Sequence, residues 1–453
     1  MAPPVLVLAC VIALLMCGQA AAEKPNVLFL FADDMRPDVL GVVGHPEVKT
    51  PNLDRLAGRG TLFTRAHIMG GLTGAVCIPS RAMMLSGRSL FRVDNTLKNT
   101  PTWPQRLREA GYRTHMTGKW HNGPPAAAAS FPGTARLFFG GMVDTQFQVP
   151  VQGLGANGKP TPRQVEKQHT SELFADEAVR FLTERHDRPW ALYVAFTAPH
   201  DPREAPPAYR DRYDPAKLTL PANYLPRHPF DNGELKNRDE QLEKWPRTPV
   251  AIRKHRADYY AIISHLDAQV GRVLDTLDRT GQAKNTVVVF AGDNGLAIGS
   301  HGLMGKQNVY EHSVGVPLIV AGPGVRAGVK VDALCYLLDL CPTLCDLAGA
   351  KAPAEIAGRS LVPVLTGKTT RHRDRLLFAY RDVQRGVSDG RWKAIWYPAR
   401  ARWQLFDLAA DPQEMNDLVG EPASAARLAA LKRQLAELRT EFGDTAPLPA
   451  SKK

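Results

Sequence analysis

Cysteine is scarce: six in 453 residues, too few and too unevenly placed for a fold stapled by disulfides. Cys10 and Cys17 belong to an apolar N-terminal segment, while Cys335, Cys341 and Cys345 fall in one stretch, Asp332 to Leu347, that reads as a helix. Four residues apart, Cys341 and Cys345 share a helical face without disulfide geometry, and no histidine or acidic cluster with zinc-like spacing surrounds them. They read as core. The chain also lacks a run long enough to cross a bilayer: Val5 to Met16 is apolar but short, and no later segment looks transmembrane, so no stable membrane insertion is expected. Ala20-Ala21-Ala22 before Glu23 fits a small-residue cleavage site. Residues 1–22 are therefore read as a secretory signal peptide cut near Ala22, leaving a secreted or periplasmic chain. No Lys or Arg precedes the apolar run, so only the amino terminus supplies positive charge there. Cys17, after Leu14-Leu15-Met16, loosely resembles a lipoprotein site, but Met16 is large for that position and lipid anchoring is the lesser reading. Internal repeats, sustained low complexity and nucleic-acid-binding motifs are all lacking, and no nucleic-acid partner is expected.

What is present is a globular composition, 44% hydrophobic and 23% charged with 37 Gly and 36 Pro, in a chain long enough for one large domain and a smaller one. Apolar runs ending in polar residues recur. Asn26 to Ala32 stops at Asp33-Asp34, Trp190 to Thr197 at Ala198-Pro199-His200, and Thr286 to Ala291 at Gly292-Asp293-Asn294; Val316 to Ala321 is a fourth run. Helical patterns lie between them, over Ser171 to Arg185, Ala257 to Asp278 and Asp332 to Leu347. Strands alternating with helices imply an α/β fold with a large, mostly parallel sheet sandwiched by helices. Ligands bind such sheets beyond the carboxyl ends of the strands, where these polar residues stand. Asp201 to Arg256, Pro-rich and charged with little periodicity, reads as a long ordered insertion near the site. After Pro353 to Gly367 the pattern changes: Leu376 to Tyr380, Val387 to Tyr397 and Trp403 to Leu408 look like short strands, followed by a helix over Ser424 to Glu441. These predict a smaller C-terminal antiparallel sheet with one helix. The expected division is 23–358 for the catalytic α/β domain, 359–446 for the C-terminal subdomain and 447–453 for a tail.

Net charge is +12, and Lys368 to Trp403 holds ten Lys or Arg against three Asp. A basic region serves nucleic acid, a membrane or an acidic substrate, or is simply a solvated face.

Two constellations carry chemistry. In Cys77-Ile78-Pro79-Ser80-Arg81 the proline suits the first position of a helix, and a helix N-terminus favours an anion. Asp33, Asp34, Asp293 and Asn294 offer only oxygen donors, three of them anionic, which suits Ca²⁺ or Mg²⁺ rather than zinc.

With Gly118-Lys119-Trp120-His121, Pro199-His200, Gly292-Asp293-Asn294-Gly295 and Gly305-Lys306, these motifs resemble, in order and spacing, the formylglycine-dependent (type I) sulfatases of the alkaline phosphatase superfamily. Thr50-Pro51-Asn52-Leu53-Asp54 and Leu405-Phe406-Asp407-Leu408, followed by Asp411-Pro412, fit the same family. The resemblance implies that formylglycine-generating machinery converts Cys77 to an aldehyde. It implies one divalent cation, by family preference Ca²⁺, held by Asp33, Asp34, Asp293 and Asn294 and touching residue 77. One hydroxyl of the aldehyde hydrate would attack sulfur, and the second would later drive release of sulfate, splitting one hard step into two. Arg81 would hold the hydrate, Lys119 and Lys306 would bind sulfate and offset its charge, His121 would take the proton of the second hydroxyl, and His200 would bind sulfate and protonate the leaving oxygen. His115 and His301 are assigned structural or supporting roles. Two departures from the family pattern are Ser86, where threonine is common, and Asn122, where leucine is.

The implied activity is sulfuric-ester hydrolysis of an organic sulfate, with a sulfated carbohydrate as the expected substrate. Arg385 and Arg391 of the basic segment are expected to bind further anionic groups of a sulfated polysaccharide. Alternatives are a phosphonate monoester or phosphodiester hydrolase on the same site, and a noncatalytic polyanion-binding protein. The intact set of motif residues argues against the last.

Overall fold

The strand β1 (Asn26–Ala32) reads NVLFLFA with no alternation, and all but its first residue are buried. A strand apolar on both sides belongs inside a sheet covered on both faces, and this one lies near its middle. The computed structural model describes residues 24–447; the signal peptide and all but the first residue of the tail lie outside the described residues. In chain order the strands are β1, β2 (Gly60–His67), β3 (Gly70–Gly71), β4 (Arg113–Lys119), β5 (Leu137–Phe138), β6 (Val149–Val151), β7 (Gln164–Glu166), β8 (Trp190–Ala195), β9 (Thr286–Gly292), β10 (Gly315–Ala321), β11 (Val329–Val331), β12 (Cys335–Tyr336), β13 (Leu376–Tyr380), β14 (Gln384–Ser388), β15 (Trp392–Tyr397) and β16 (Arg402–Asp407). The main sheet has the order β11-β2-β10-β9-β1-β8-β4-β5, with β12 also on β2. Only β10 runs against its neighbours β2 and β9. The mostly parallel α/β architecture is as the sequence implies.

Four adjacent parallel strands, β9, β1, β8 and β4, present their carboxyl ends side by side. Asp293, Asp33, the segment leading to His200, and Lys119 leave from those ends. The helix Pro249–Arg279 covers one face of the sheet, and the helices Cys77–Ser86 and Leu340–Leu347 pack against each other on the other face.

The second sheet has the order β16-β15-β14-β13-β3. Its last strand comes from the N-terminal half: β3 pairs parallel with β13, Gly70 opposite Ala379. A Cβ on Gly70 would lie 2.0 Å from the Ala379 carbonyl oxygen, so this join requires glycine. The chain runs from β3 directly toward Cys77, and the small sheet thereby anchors the approach to the helix Cys77–Ser86. The helix Ala425–Phe442 covers this sheet with Leu431, Leu435, Leu438 and Phe442, all buried. Each such side chain contributes about 1.5–3 kcal/mol relative to exposure.

Several boundaries differ from the sequence reading. Asp332 to Leu347 is not one helix: Cys335 sits in β12, and only Cys341 and Cys345 lie on the helix Leu340–Leu347. Tyr336 N–H bonds the Asp339 carboxylate, a local partner that lets the chain turn from strand to helix there. The long helix starts at Pro249, inside the stretch read as irregular, because Pro249 takes the first helical position and Thr248 caps the Ala251 N–H at 3.2 Å. Val387 to Tyr397 is two strands, β14 and β15, separated by a turn at Asp389 and Gly390.

Candidate active site

The helix Cys77–Ser86 is buried at every position but Ile78, and Cys77 is its first residue. Pro79 is therefore the third helical residue rather than the first, a position whose N–H has no intrahelical partner to lose. Ser80 Oγ–H donates to the Asp293 carbonyl at 2.5 Å. Arg81, fully buried, donates from Nε to Asp293 Oδ2 at 2.9 Å and from Nη1 to the Lys119 carbonyl at 3.0 Å. One helical turn thus ties the ends of β9 and β4 together.

Around the Cys77 sulfur, His121 Nδ1 lies at 3.4 Å and Lys119 Nζ at 3.8 Å. Lys119 is ion-paired with Asp33, and Lys306 with Asp34 at 2.5 Å. Asp34 N–H donates to Asp293 Oδ1 at 3.0 Å, and Asn294 Nδ2 to Asp34 Oδ1 at 2.9 Å. His200 donates from Nδ1 to the Asp201 carbonyl at 2.8 Å, since a carbonyl only accepts, and its Nε2 faces Asp34 Oδ2 at 3.6 Å. Cys77, Arg81, Lys119, His121, His200, Lys306, Asp33, Asp34, Asp293 and Asn294 are all brought together.

The backbone here is strained where the chemistry lies. Asp34 and His121 both adopt left-handed φ, +66° and +67°, a conformation costing on the order of 1–2 kcal/mol for residues with a Cβ and persisting only where surrounding contacts fix it. His121 also depends on a missing side chain: a Cβ on Gly141 would lie 2.6 Å from its Nε2.

Electrostatics separate the groups. Burial alone would raise the Asp33 carboxyl, but Lys119, His200, Arg81 and Lys306 outweigh it and hold it far below the usual carboxylate range. Asp293 is pushed up to about 7 by burial and then by Asp33 beside it. Burial and the neighbouring Lys119 and Arg81 drive His121 far below the ordinary imidazole value, so it is neutral. The Cys77 thiol is raised by burial, against the pull of Lys119 and Lys306. Burial would lower Lys306, yet Asp34 more than reverses it.

Asp33, Cys77 and Asp293 each offer a ligand atom within 4.8 Å of the others, and Asp34, His200 and Asp201 form a second such group. This buried cluster is suited to a divalent metal. Asp33 Oδ1 and Asn294 Oδ1 are buried without a hydrogen-bond donor, as oxygens waiting for a hard cation would be.

The insertion and the long helix that follows it supply what the sequence reading missed. Glu240 accepts the Met304 and Gly305 N–H groups at 3.0 and 2.9 Å, with Arg247 at 2.8 Å behind it, and so fixes the loop carrying Lys306. Tyr259 O–H donates to the Asp34 carbonyl at 2.7 Å. Glu240 stands in a segment without periodicity, and Tyr259 in a helical pattern that marks it as core rather than as a partner of the site. Asn122, the departure from the family pattern, donates to the Ile78 carbonyl in the first turn of the catalytic helix at 3.2 Å and to the Asn95 carbonyl at 2.6 Å. Ser86 Oγ donates back to the Ala82 carbonyl. His115 pairs with Glu177 at 2.9 Å, and His301 stacks on Tyr310, both away from Cys77.

Arg385 and Arg391, expected to bind substrate, are each held by a carboxylate of the chain itself. Arg385 is 1% exposed and is ion-paired with Asp444 at 2.7 Å; its Nη1 donates to the Arg381 carbonyl at 2.5 Å. Arg391 is exposed but pairs with Asp407 at 2.9 Å. Neither lines the cleft above Cys77, whose walls are formed by His121, Met142, His200, Arg238, Lys306 and Arg381 among others. Alternation in a strand sends Arg385 inward, where a guanidinium persists only if paired.

Residues 25–350 match the sulfatase family model. The chain belongs to the sulfatase family. Its class is the formylglycine-dependent (type I) group within the alkaline phosphatase superfamily, and it is a sulfatase-type hydrolase. Residues 299–441 match the family described as N-sulphoglucosamine sulphohydrolase, C-terminal. The chain is 31% identical to the choline-sulfatase of Rhizobium meliloti over 88% of its own length and 83% of that protein. It is 26% identical to an N-acetylglucosamine-6-O-sulfatase of Bacteroides thetaiotaomicron over 94% and 88%. A solved phosphonate monoester hydrolase from Silicibacter pomeroyi superposes with a TM-score of 0.73 at 26% identity, covering 93% of this chain and 96% of that one. Among the described residues, no helix is long and apolar enough to cross a membrane.

Proposed function

We propose that this sulfatase hydrolyses the sulfate ester of a sulfated carbohydrate, using formylglycine made from Cys77 and a hard divalent cation, Ca²⁺ by donor type and family preference. The observation that carries the reading is the Cys77 sulfur at the start of a buried helix, 3.4 Å from a neutral His121 and 3.8 Å from Lys119. Here that sulfur stands where the aldehyde hydrate oxygens would be. Conversion of the thiol supplies a gem-diol nucleophile that can later release sulfate by its second hydroxyl. Asp33, Asp34, Asp293 and Asn294 would hold the cation, which when bound supplies Lewis-acid polarisation of the sulfate oxygens.

The remaining work belongs to the chain's own side chains. With Asp293 ionised, three carboxylates face three fixed cations, Arg81, Lys119 and Lys306, so a divalent cation leaves the site net positive and suited to a sulfate group. Lys119 and Lys306 sit opposite each other over Asp33 and Asp34 and offset charge that develops on the transferring group. His121, neutral and next to residue 77, is placed to accept a proton there. His200, its Nδ1 committed to the Asp201 carbonyl, presents Nε2 to the cleft, where a proton can pass to a leaving oxygen. The carbohydrate assignment draws on a relative named for a glucosamine sulfate and on a cleft of about 470 Å³, inside the usual range for ligand pockets. Signal-peptide cleavage near Ala22 and export complete the reading.

A second reading, phosphonate monoester hydrolysis, is favoured by the likeness to the Silicibacter enzyme and by a cation set that would accept a phosphonate equally well. Side-by-side kcat/KM on sulfated monosaccharides, an aryl sulfate and a phosphonate monoester decides between them. The sulfatase reading expects the sulfate esters to win, and preferential phosphonate turnover would overturn it.

A further inference from the structure

We propose that Arg381 reads a second anionic group on the substrate, one sugar unit away from the sulfate that is removed, and that the catalytic cleft continues past it into an adjoining groove. The inference rests on the carbohydrate reading above and narrows it to substrates with more than one charge.

Arg381 forms the tip of the β13–β14 hairpin with φ of +43°, in the left-handed region where a residue with a Cβ is strained. Two contacts impose that shape. Its N–H donates to the Gly71 carbonyl at 2.8 Å, and its own carbonyl receives Arg385 Nη1, whose guanidinium is fixed by Asp444. A buried ion pair thus grips the backbone of an exposed arginine at a position where glycine would be relaxed. Strain held in place by such contacts points to use of the side chain.

The side chain stands at a junction. Arg381 and Gly74 line the cleft above Cys77, and the same two residues line a groove of about 720 Å³ bounded by Leu72, Phe91, Asp382 and the ion pair of Arg385 with Asp444. A Cβ on Gly74 would lie 3.1 Å from Arg381 Nη2, so the guanidinium passes directly over the connection. Leu72 is 41% exposed and offers an apolar surface for the face of a sugar ring.

Charge accounting singles out this arginine among the cations of the cleft. Lys306 has Asp34, and Arg238 has both Asp201 and Asp239. Arg381 faces a single carboxylate, Glu234, at 3.3 Å, and 44% of its side chain is exposed. A sulfate or carboxylate on a neighbouring sugar can displace Glu234 and take both arms of the planar guanidinium.

The test compares kcat/KM on a disaccharide carrying only the scissile sulfate with the same disaccharide bearing a second sulfate, or a uronic carboxylate, on the adjoining unit. Wild-type enzyme should prefer the doubly charged forms, and which of them it prefers identifies the group read. Arg381→Ala and Arg381→Gly should reduce that preference by about tenfold or more, through KM rather than kcat, as expected for a charge-assisted hydrogen bond. Arg381→Gly should melt no lower than wild type, because glycine relieves the backbone. A preference unchanged in both variants, or an equal loss on singly and doubly charged disaccharides with a lowered Tm, would overturn the proposal and leave Arg381 a structural residue. Failure of wild-type enzyme to release sulfate from any of the saccharides would instead overturn the carbohydrate reading, and this one with it.

Discussion

The carboxyl edge of the main sheet and the basic segment of the small sheet both gather charge, and they use it in opposite ways. At the sheet edge, Lys119 and Lys306 are buried against Asp33 and Asp34 but lie within reach of residue 77. In the basic segment, Arg385 and Arg373 are buried against Asp444 and Asp339 and hold the fold, while Arg391 sits in water beside Asp407. Charge count alone does not distinguish the two regions. What distinguishes them is whether the ion pair stands beside residue 77, and only the fold decides that.

The largest effect expected in the basic segment is on stability. Arg385→Ala leaves Asp444 buried with only Arg439 beside it, and should cost about 3–5 kcal/mol in denaturant unfolding, as breaking one side of a buried pair does. At the sheet edge the corresponding change acts on rate: Lys306→Ala should lower kcat/KM for an aryl sulfate by ~10²–10³, the typical loss of one preorganised charge-stabilising group. A large kinetic loss in Arg385→Ala, or none in Lys306→Ala, would erase the distinction. Gly141→Ala sharpens it further. The new Cβ would lie 2.6 Å from His121 Nε2, and relieving that contact moves the ring by roughly 1 Å, which should cost about 10² in kcat with little change in Tm.

Titration gives a smaller but signed test. Asp339 is buried, which raises its carboxyl, but Arg373 and His372 outweigh burial and hold it well below the ordinary value. A depressed folded-state pKa contributes stability that is present above the unfolded value, about 3.9, and is lost as pH falls below it. Melting temperature followed from pH 6 down to pH 3 should therefore fall less steeply in Asp339→Asn, from its lower starting point, than in wild type. Equal slopes would show that this pair does not carry the acid sensitivity. Smallest of all is Arg391→Ala, expected to leave Tm and aryl sulfate turnover unchanged because its ion pair is solvated.

Much of the site was legible because its residues sit at the ends of apolar runs. Asp33, His200 and Asp293 follow apolar runs that read as buried strands, and parallel pairing then brings them together. Pairing itself was not legible: β10 reads like its neighbours yet runs antiparallel, and β3 is two glycines with no strand signature. Glu240 and Arg247 lie in a segment without periodicity, and their importance comes from backbone N–H groups of a loop 64 residues away. The pairing of Arg385 with Asp444 was not legible, because it exists only once the helix Ala425–Phe442 brings Asp444 over β14. Two residues carrying the same charge, Arg381 and Arg385, thereby differ in exposure, the first half in solvent and the second buried against Asp444.

The state of residue 77 in active enzyme is the decisive measurement. Peptide mass spectrometry of protein fractions of graded activity should find formylglycine at position 77, with sulfate release proportional to the converted fraction and absent in Cys77→Ala. Full activity in protein whose residue 77 is intact cysteine would contradict it.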